Sequence, residues 1–483
     1  MKKRVFFVVL VLLCAGLFVT SCDDGLESET NVELGGEQTP PSTDGVQTQK
    51  KGPMTLSLSA VTSTTATFNT LLDVEQMADY QEAGFIYSTI DEIDVEATHV
   101  SKVRITRETS STKLKHLLRA TEYYYTIYLC KNGVYMYGET QSFVTPPFDS
   151  NLSVGGTANC YIVDIKGTYS YYATEGNSDV PMRDIASVSV LWESFGTSIA
   201  PLVGDLIKSV SYNDGYITFQ TADTFKEGNA VIAAKDAAGN ILWSWHIWFT
   251  DQPQGQEYYN NAGTMMDRNL GATSATPGVV GALGLLYQWG RKDPFLGSSS
   301  ISSSTTAKST ISWPSPVSTS SSCGTVSYVV ANPTTFVTAS SSPYDWHYSS
   351  RDNTLWTTSD KTKSIYDPCP AGWRVPDGGD NGVWSKALGS SSSFTNSSLW
   401  NSSDDGMNFS GKFGSASTIW YPTSGYRSDS DGGLNDVGND GIYWSASPGS
   451  INAYYLYFDY YGKVDPSNIS ARAYGKSVRC LEE

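Results

Sequence analysis

Residues 428–447 read SDSDGGLNDVGNDGIYWSAS, and they gather several carboxylate and amide side chains in one short stretch. Asp429, Asp431, Asn435, Asp436, Asn439 and Asp440 alternate with glycines just ahead of an Ile-Tyr-Trp run. Hard cations take several oxygen ligands from a flexible loop, so Asp429, Asp431, Asp436 and Asp440 are candidate Ca²⁺ ligands. The same carboxylates and amides can fix the hydroxyls of a sugar while an aromatic ring stacks on its C–H face. Tyr443 and Trp444 leave the loop on a predicted strand, where alternation sends one to each face, so one is expected to meet a ligand. Tyr421 and Tyr426 lie just ahead of the loop. Asp, Asn and Gly also build plain turns, and that alternative stays open.

Nucleophilic chemistry has little material. The chain holds four histidines, His99, His116, His246 and His347, and no Cys-x-x-Cys pair. A His/Cys metal site of ordinary spacing is not expected. His347 is the one histidine after residue 262, which leaves Ser-His or Cys-His catalysis there almost without parts. The expectation is a protein with no catalytic residues, although carboxylate pairs of the glycosidase kind remain open.

Residues 364–388, SIYDPCPAGWRVPDGGDNGVWSKAL, pose a second question, because a cysteine stands between two prolines. Pro368 and Pro370 stiffen the chain around Cys369, and Pro376 stops any helix at Trp373-Arg374. Asp377 is placed to cap a following helix whose Trp384 and Leu388 share one face. This reads as a structural staple rather than an active-site segment.

Lys2, Lys3 and Arg4 precede an apolar run from Val5 to Val19, which is too short to span a bilayer and reads as a signal peptide. Its end, Val19-Thr20-Ser21-Cys22, resembles the lipobox of bacterial lipoproteins, which implies that Cys22 is lipidated and anchors the chain. The acidic, Gly/Pro/Ser/Thr-rich stretch behind it cannot bury enough surface to offset chain entropy and is expected to be a tether. That stretch also resembles the surface-export signal of Bacteroides-type lipoproteins, implying an outer-membrane protein exposed at the cell surface. The net charge of −17 over 483 residues argues against nucleic acid or an anionic membrane surface as partner. A chain of this length suggests about three domains. Of seven cysteines, Cys14 leaves with the signal and Cys22 takes the lipid; Cys130, Cys160, Cys323, Cys369 and Cys480 remain, so at least one is without an internal partner.

Strand-like alternation fills the next two segments. In residues 53–147, EYYYTIYLCKNGVYMYGETQSFVT reads as a hairpin turning at Asn132-Gly133, with Tyr123, Tyr125, Ile127 and Leu129 on one face. Cys130 reads as a core thiol. Leu117-x-x-x-Thr121-x-Tyr123 resembles the corner of fibronectin type III sandwiches. Residues 148–262 repeat the pattern of short strands, with turns at Asp214-Gly215 and Gly239-Asn240. NILWSWHIWF there carries apolar side chains on both faces, which implies burial on both sides and makes His246 a core histidine. This segment looks like a second immunoglobulin-like sandwich. Residues 298–342 are rich in Ser and Thr and read as a long loop or insertion.

From residue 263 onward MDRNLGA, YQWGRKDPF, DPCPAGWRVP…VWSKAL, YWSAS and GKSVRCLEE follow in order. Together they resemble the Fibrobacter major paralogous domain, whose fold is similar to the C-type-lectin and formylglycine-generating-enzyme group. The Glu-Pro-Asn type motif of Ca²⁺-dependent sugar binders is absent. In an exported chain Cys369 is expected to bond Cys480, closing a loop that stabilises by about 4–5 kcal/mol in the chain-entropy picture. The expected architecture is mainly β. It comprises a signal at 1–21, a tether at 22–52, sandwiches at 53–147 and 148–262, and an α+β lectin-like domain at 263–483. The expected role is non-catalytic adhesion or recognition of a glycan or surface protein, with the two sandwiches as spacers. A glycan-binding subunit of a polysaccharide-uptake system, or a structural pilus or envelope component, is the alternative.

Overall fold

The computed structural model describes residues 48–115, 117–146, 150–342, 344–348, 351–357, 360 and 362–483. Cys22 and the signal segment lie outside the described residues, as does His116. The chain is mainly β. The first sandwich pairs one sheet in the order Thr48–Lys51, Met54–Val61, Ala66–Leu72, Thr109–Leu114 with a second built on Glu82–Ser88 and Glu122–Lys131. This division of strands agrees with the resemblance to fibronectin type III. Its core is aromatic: Phe68 meets Phe85 and Tyr125 with ring centroids 4.9 Å apart. Tyr123, Tyr125, Ile127 and Leu129 all point into it, as their alternation requires. Asn132 and Gly133 both take positive φ, 53° and 76°, which the two-residue turn between Glu122–Lys131 and Val134–Tyr137 demands.

The corner reading is also confirmed in geometry. The Leu118 amide donates to Tyr123 Oη at 2.8 Å, fixing the crossing between the sheets. Tyr123→Phe is expected to cost about 1–2 kcal/mol in urea unfolding of the whole chain, because the Leu118 amide loses its acceptor. A change below a few tenths of a kcal/mol would show that the corner bond is replaced by solvent.

One boundary moves. Residues 48–51, expected to belong to the tether, form a strand antiparallel to Met54–Ser57. Gln49 explains this: its amide reaches inward, accepting from the Ile127 amide at 3.4 Å and donating to the Tyr125 carbonyl at 3.5 Å. A polar tetrapeptide thus pairs because one side chain answers buried backbone groups.

The second sandwich stacks the sheet Cys160–Val163, Ile241–Phe249, Gly228–Lys235, Ser187–Ser194 on Thr168–Tyr172, Tyr216–Thr221, Ile207–Asn213. Strand Ile241–Phe249 is buried on both sides, as its sequence implies. Trp243, Trp245 and Ile247 enter the core between the two sheets. Trp248 faces the other way and joins Trp192 and Val231 in a core shared with Leu270, Trp289, Trp356 and Trp444 of the C-terminal segment. Polar ties reinforce that junction. Lys292 donates to the Ser244 carbonyl and hydroxyl at 3.0 and 2.6 Å, and Asn229 donates to the Gly271 carbonyl at 2.9 Å.

The C-terminal segment begins earlier than expected, because Gly255–Tyr258 pairs antiparallel with Gly263–Met266. That strand continues the sheet through Leu481–Glu482 to Trp373–Arg374. A larger sheet places Lys463–Ser470, Ala453–Asp459, Asp440–Pro448, Gly475–Ser477 and Tyr426–Arg427 side by side. Cys369 and Cys480 are disulfide-bonded, and Cys130, Cys160 and Cys323 are free thiols.

Two local expectations are corrected. Residues 298–342 are not an open loop. They contain the helix Val326–Ala331, capped by Thr325, and a parallel pairing of Val317–Ser318 with Val337–Thr338. Trp313 wedges between Trp192 and Phe295, while Ser298 and its neighbours turn their hydroxyls onto local backbone. The helix Val383–Leu388 forms, but Gly382 occupies its N-cap. Asp377 instead pairs with Arg374 at 2.7 Å, while its carbonyl receives the Val383 amide at 2.9 Å.

Candidate functional site

The loop 428–440 is held by its own turns. Asp431 Oδ1 accepts from the Gly433 amide at 2.8 Å, Asn435 donates to the Gly433 carbonyl at 3.2 Å, and the Asp436 carbonyl accepts from the Asn439 and Asp440 amides. Asp436 itself sits at φ 53°, and the Asn439 carbonyl receives the Tyr460 amide at 3.0 Å. The carboxylates diverge. Asp429 is buried beside Tyr474 and Lys476, Asp440 faces Asp459 and Asp436, and Asp436 meets the Tyr426 hydroxyl. Among the described residues no three His, Cys, Asp or Glu side chains converge to hold a metal ion. The set Asp429, Asp431, Asp436 and Asp440 is therefore not a common Ca²⁺ cage: Asp431 is spent on a turn, and the others point to two ends of a face.

Tyr443 and Trp444 do lie on opposite faces, but both are 0 % exposed. Tyr443 donates to the Pro422 carbonyl, and Trp444 Nε1 donates to the Tyr287 carbonyl at 3.0 Å. Neither ring can meet a ligand, because the C-terminal segment packs on both sides of their strand. Tyr421 is also buried, hydrogen-bonded to Tyr258 at 2.8 Å.

What the loop borders is a tyrosine face on the large sheet. The register Trp444↔Tyr455 and Ile442↔Tyr457 lines these side chains on one side, and Tyr474, Lys476 and Tyr426 continue across the neighbouring strands. Tyr455 and Tyr457 meet edge to face at 6.5 Å, and Tyr426 and Tyr474 at 5.4 Å. Tyr426, Tyr457 and Tyr474 are half-buried, and Lys463 Nζ lies 5.6 Å from the Tyr457 ring centroid. At one end Tyr457 Oη lies 3.4 Å from Asp440 Oδ1 and 3.3 Å from Asp459 Oδ2. Burial, with Asp436 and Asp459 nearby, pushes the Asp440 carboxyl up to about 6. At the other end burial raises Asp429, and Tyr474 and Lys476 pull it back. Lys476 lies between the two ends and is held well below its ordinary value by burial, with Asp429 opposing. Tyr455, Tyr457, Tyr474 and Lys476 were legible in principle, since AYYLYFD and AYGKS alternate aromatic or charged positions with core positions.

The motif residues, by contrast, are framework. Asn269 accepts from Arg479 at 2.9 Å, Gln288 accepts from Arg291 at 2.8 Å, and Arg479 stacks on Tyr421 at 3.7 Å. Cys160, His246 and Asn229 form a hydrogen-bonded row, with Sγ to Nδ1 at 3.3 Å and Nε2 to Oδ1 at 2.9 Å. All three are buried, and burial pushes the thiol up and the imidazole down to about 3. A nucleophile so enclosed and so weakly acidic serves packing. A separate cleft of about 410 Å³ opens where the first sandwich meets the C-terminal segment, lined by Thr64, Lys113, Gln254 and Trp373 among others.

No family model matches the chain, and no curated protein sequence matches it. Solved structures similar to part of it are β-sandwiches. The third fibronectin III domain of human KIAA0343 protein shares 14% identity over 23% of this chain and 94% of its own, with a TM-score of 0.16. A two-domain fibronectin type III segment of chicken tenascin shares 14% over 42% and 99%, with a TM-score of 0.16. A chimeric titin Z1Z2 shares 12% over 42% and 97%, with a TM-score of 0.17. The fibronectin type III-like form of residues 48–146 rests on strand order and the Tyr123 corner.

Proposed function

We propose that the chain is a lipid-anchored, surface-exposed, non-catalytic protein of the bacterial outer membrane that recognises a glycan or a surface protein through its C-terminal segment. The tyrosine face carries this reading: half-buried Tyr426, Tyr457 and Tyr474 lie on one side of the large sheet with carboxylates beside them. Rings with polar groups at their margins suit a ligand that presents C–H faces and hydroxyls. The anchor rests on the lipobox-like stretch ending at Cys22. We read the C-terminal segment as related to the Fibrobacter major paralogous group with a C-type-lectin-like fold. The burial of Asn269, Gln288, Trp289, Arg291, Trp444 and Arg479 supports treating its motifs as a structural frame rather than as a site.

Screening the whole protein against an array of glycans and surface proteins is expected to give discrete binding. Tyr457→Ala with Tyr474→Ala should weaken it at least tenfold without shifting the melting temperature by more than a few degrees. Undiminished binding in that double variant would place recognition elsewhere and refute the reading.

A further inference from the structure

We infer that the tyrosine face takes a neutral polyhydroxylated ligand, a sugar unit with a vicinal diol, using Lys476 as hydrogen-bond donor and the flanking carboxylates as acceptors. This rests on the recognition role proposed above.

Lys476 is the anomaly that points there. It is 2 % exposed, and its Nζ sits 3.6 Å from the Tyr455 ring centroid, 4.2 Å from that of Trp444 and 5.3 Å from that of Tyr474. The rings face its charge, but they do not answer three directed N–H groups. The two other deeply buried lysines differ. Lys292 gives its Nζ to the Ser244 carbonyl, the Ser244 hydroxyl and Asp293. Lys363 gives its Nζ to three backbone carbonyls. Among the described residues, no hydrogen-bond or ion-pair acceptor lies within reach of Lys476 Nζ. Nζ is not among the fully enclosed side-chain atoms that lack a partner, so it keeps an opening through which an oxygen from outside, water or ligand, can reach it.

The surroundings choose the ligand class. Asp429 faces Lys476 from one side, and Asp440 and Asp459 share Tyr457 Oη on the other. Asp436 stands behind Asp440, and Asp465 pairs in register with Tyr457. Lys463 Nζ, 5.6 Å from the Tyr457 ring centroid, and Lys476 are two ammoniums against these five carboxylates, so a carboxylated sugar would still meet a net negative face. A neutral diol offers what each group lacks: its oxygens accept from Lys476, its hydroxyl protons go to the carboxylates, and its C–H face rests on Tyr457 or Tyr474.

The test uses the whole protein and ligand-observed NMR with calorimetry. Methyl glycosides of glucose and galactose are compared with those of glucuronic and galacturonic acid. At least one neutral glycoside is expected to bind, and at least tenfold more tightly than its uronate counterpart. Lys476→Met should weaken it at least tenfold, Lys476→Arg should retain part of the affinity, and the half-buried Asp440→Asn should weaken it about fivefold. Asp440→Asn keeps the inference testable if Lys476→Met fails to fold. Tighter binding of a uronate would overturn the neutral class while leaving recognition of glycans standing. Neutral binding unchanged in both the Lys476→Met and Asp440→Asn variants would overturn the role of this face. Binding of neither class would overturn the inference, while protein ligands found on the array would still uphold the broader reading.

Discussion

Lys363→Met is expected to lower the unfolding free energy by about 3–5 kcal/mol, among the largest effects of any single substitution in this chain. Lys363 Nζ donates to the carbonyls of Cys369, Pro370 and Trp373 at 2.8, 2.7 and 2.6 Å, so one ammonium ties the whole DPCPAGWR loop from within. Asp367 completes the tie from the opposite charge, accepting from the Cys369 and Val375 amides at 2.8 Å each. Methionine keeps the stem and removes every donor, leaving three buried carbonyls unanswered and Asp367 without its neighbouring cation. Urea unfolding of the two proteins measures the loss. A difference below about 1 kcal/mol would mean that water replaces the ammonium, and the loop would then owe its shape to the prolines and the disulfide.

The second large effect is a pH dependence centred on His246. Its folded-state value is depressed to about 3 by burial, whereas an unfolded histidine titrates near 6.5. Below 6.5 the unfolded chain takes a proton that the folded chain refuses. The stabilising contribution is therefore complete above about pH 6.5 and declines as pH falls toward 3. The loss is about 2 kcal/mol at pH 5 and about 3 kcal/mol at pH 4. Asp367 works in the opposite direction: its folded value, raised to about 6 by burial, lets the folded chain take a proton first as pH falls from 6 toward 4. The wild-type curve alone therefore understates the histidine. Comparison with His246→Gln isolates it, since Gln can still donate to Asn229 and does not titrate. Parallel stability curves for the two proteins between pH 7 and 4.5 would show that His246 becomes protonated inside the fold.

The elements legible in the sequence are those fixed by local rules. Asn132-Gly133 needs positive φ whatever surrounds it, and NILWSWHIWF is apolar on both faces wherever it is placed. The Cys369–Cys480 bond was likewise readable from the compartment and the motif order. What escaped depends on distant partners. Thr48–Lys51 becomes a strand because Gln49 answers Tyr125 and Ile127, some 76 and 78 positions away. Residues 298–342 look featureless because their anchors, Trp313, Val329 and Phe336, are diluted among serines. At the site, alternation separated Tyr443 from Trp444 correctly, but it cannot say that Tyr287, Trp289 and Pro422 close over both faces. The open rings lie on the next strands instead.

The shared core of the second sandwich and the C-terminal segment bears on how such a protein can be inherited. The first sandwich closes its own core and meets the rest through surface ion pairs such as Arg119–Asp164 and Lys115–Glu482. A recombination point between its last strand and residue 151 leaves that core and the shared core each whole. A point near residue 252 would instead strip Trp192, Val231 and Trp248 of their cover and strand Lys292 without Ser244. The portable cassette is therefore the second sandwich together with the C-terminal segment, which are expected to duplicate, shuffle and diverge as one gene fragment.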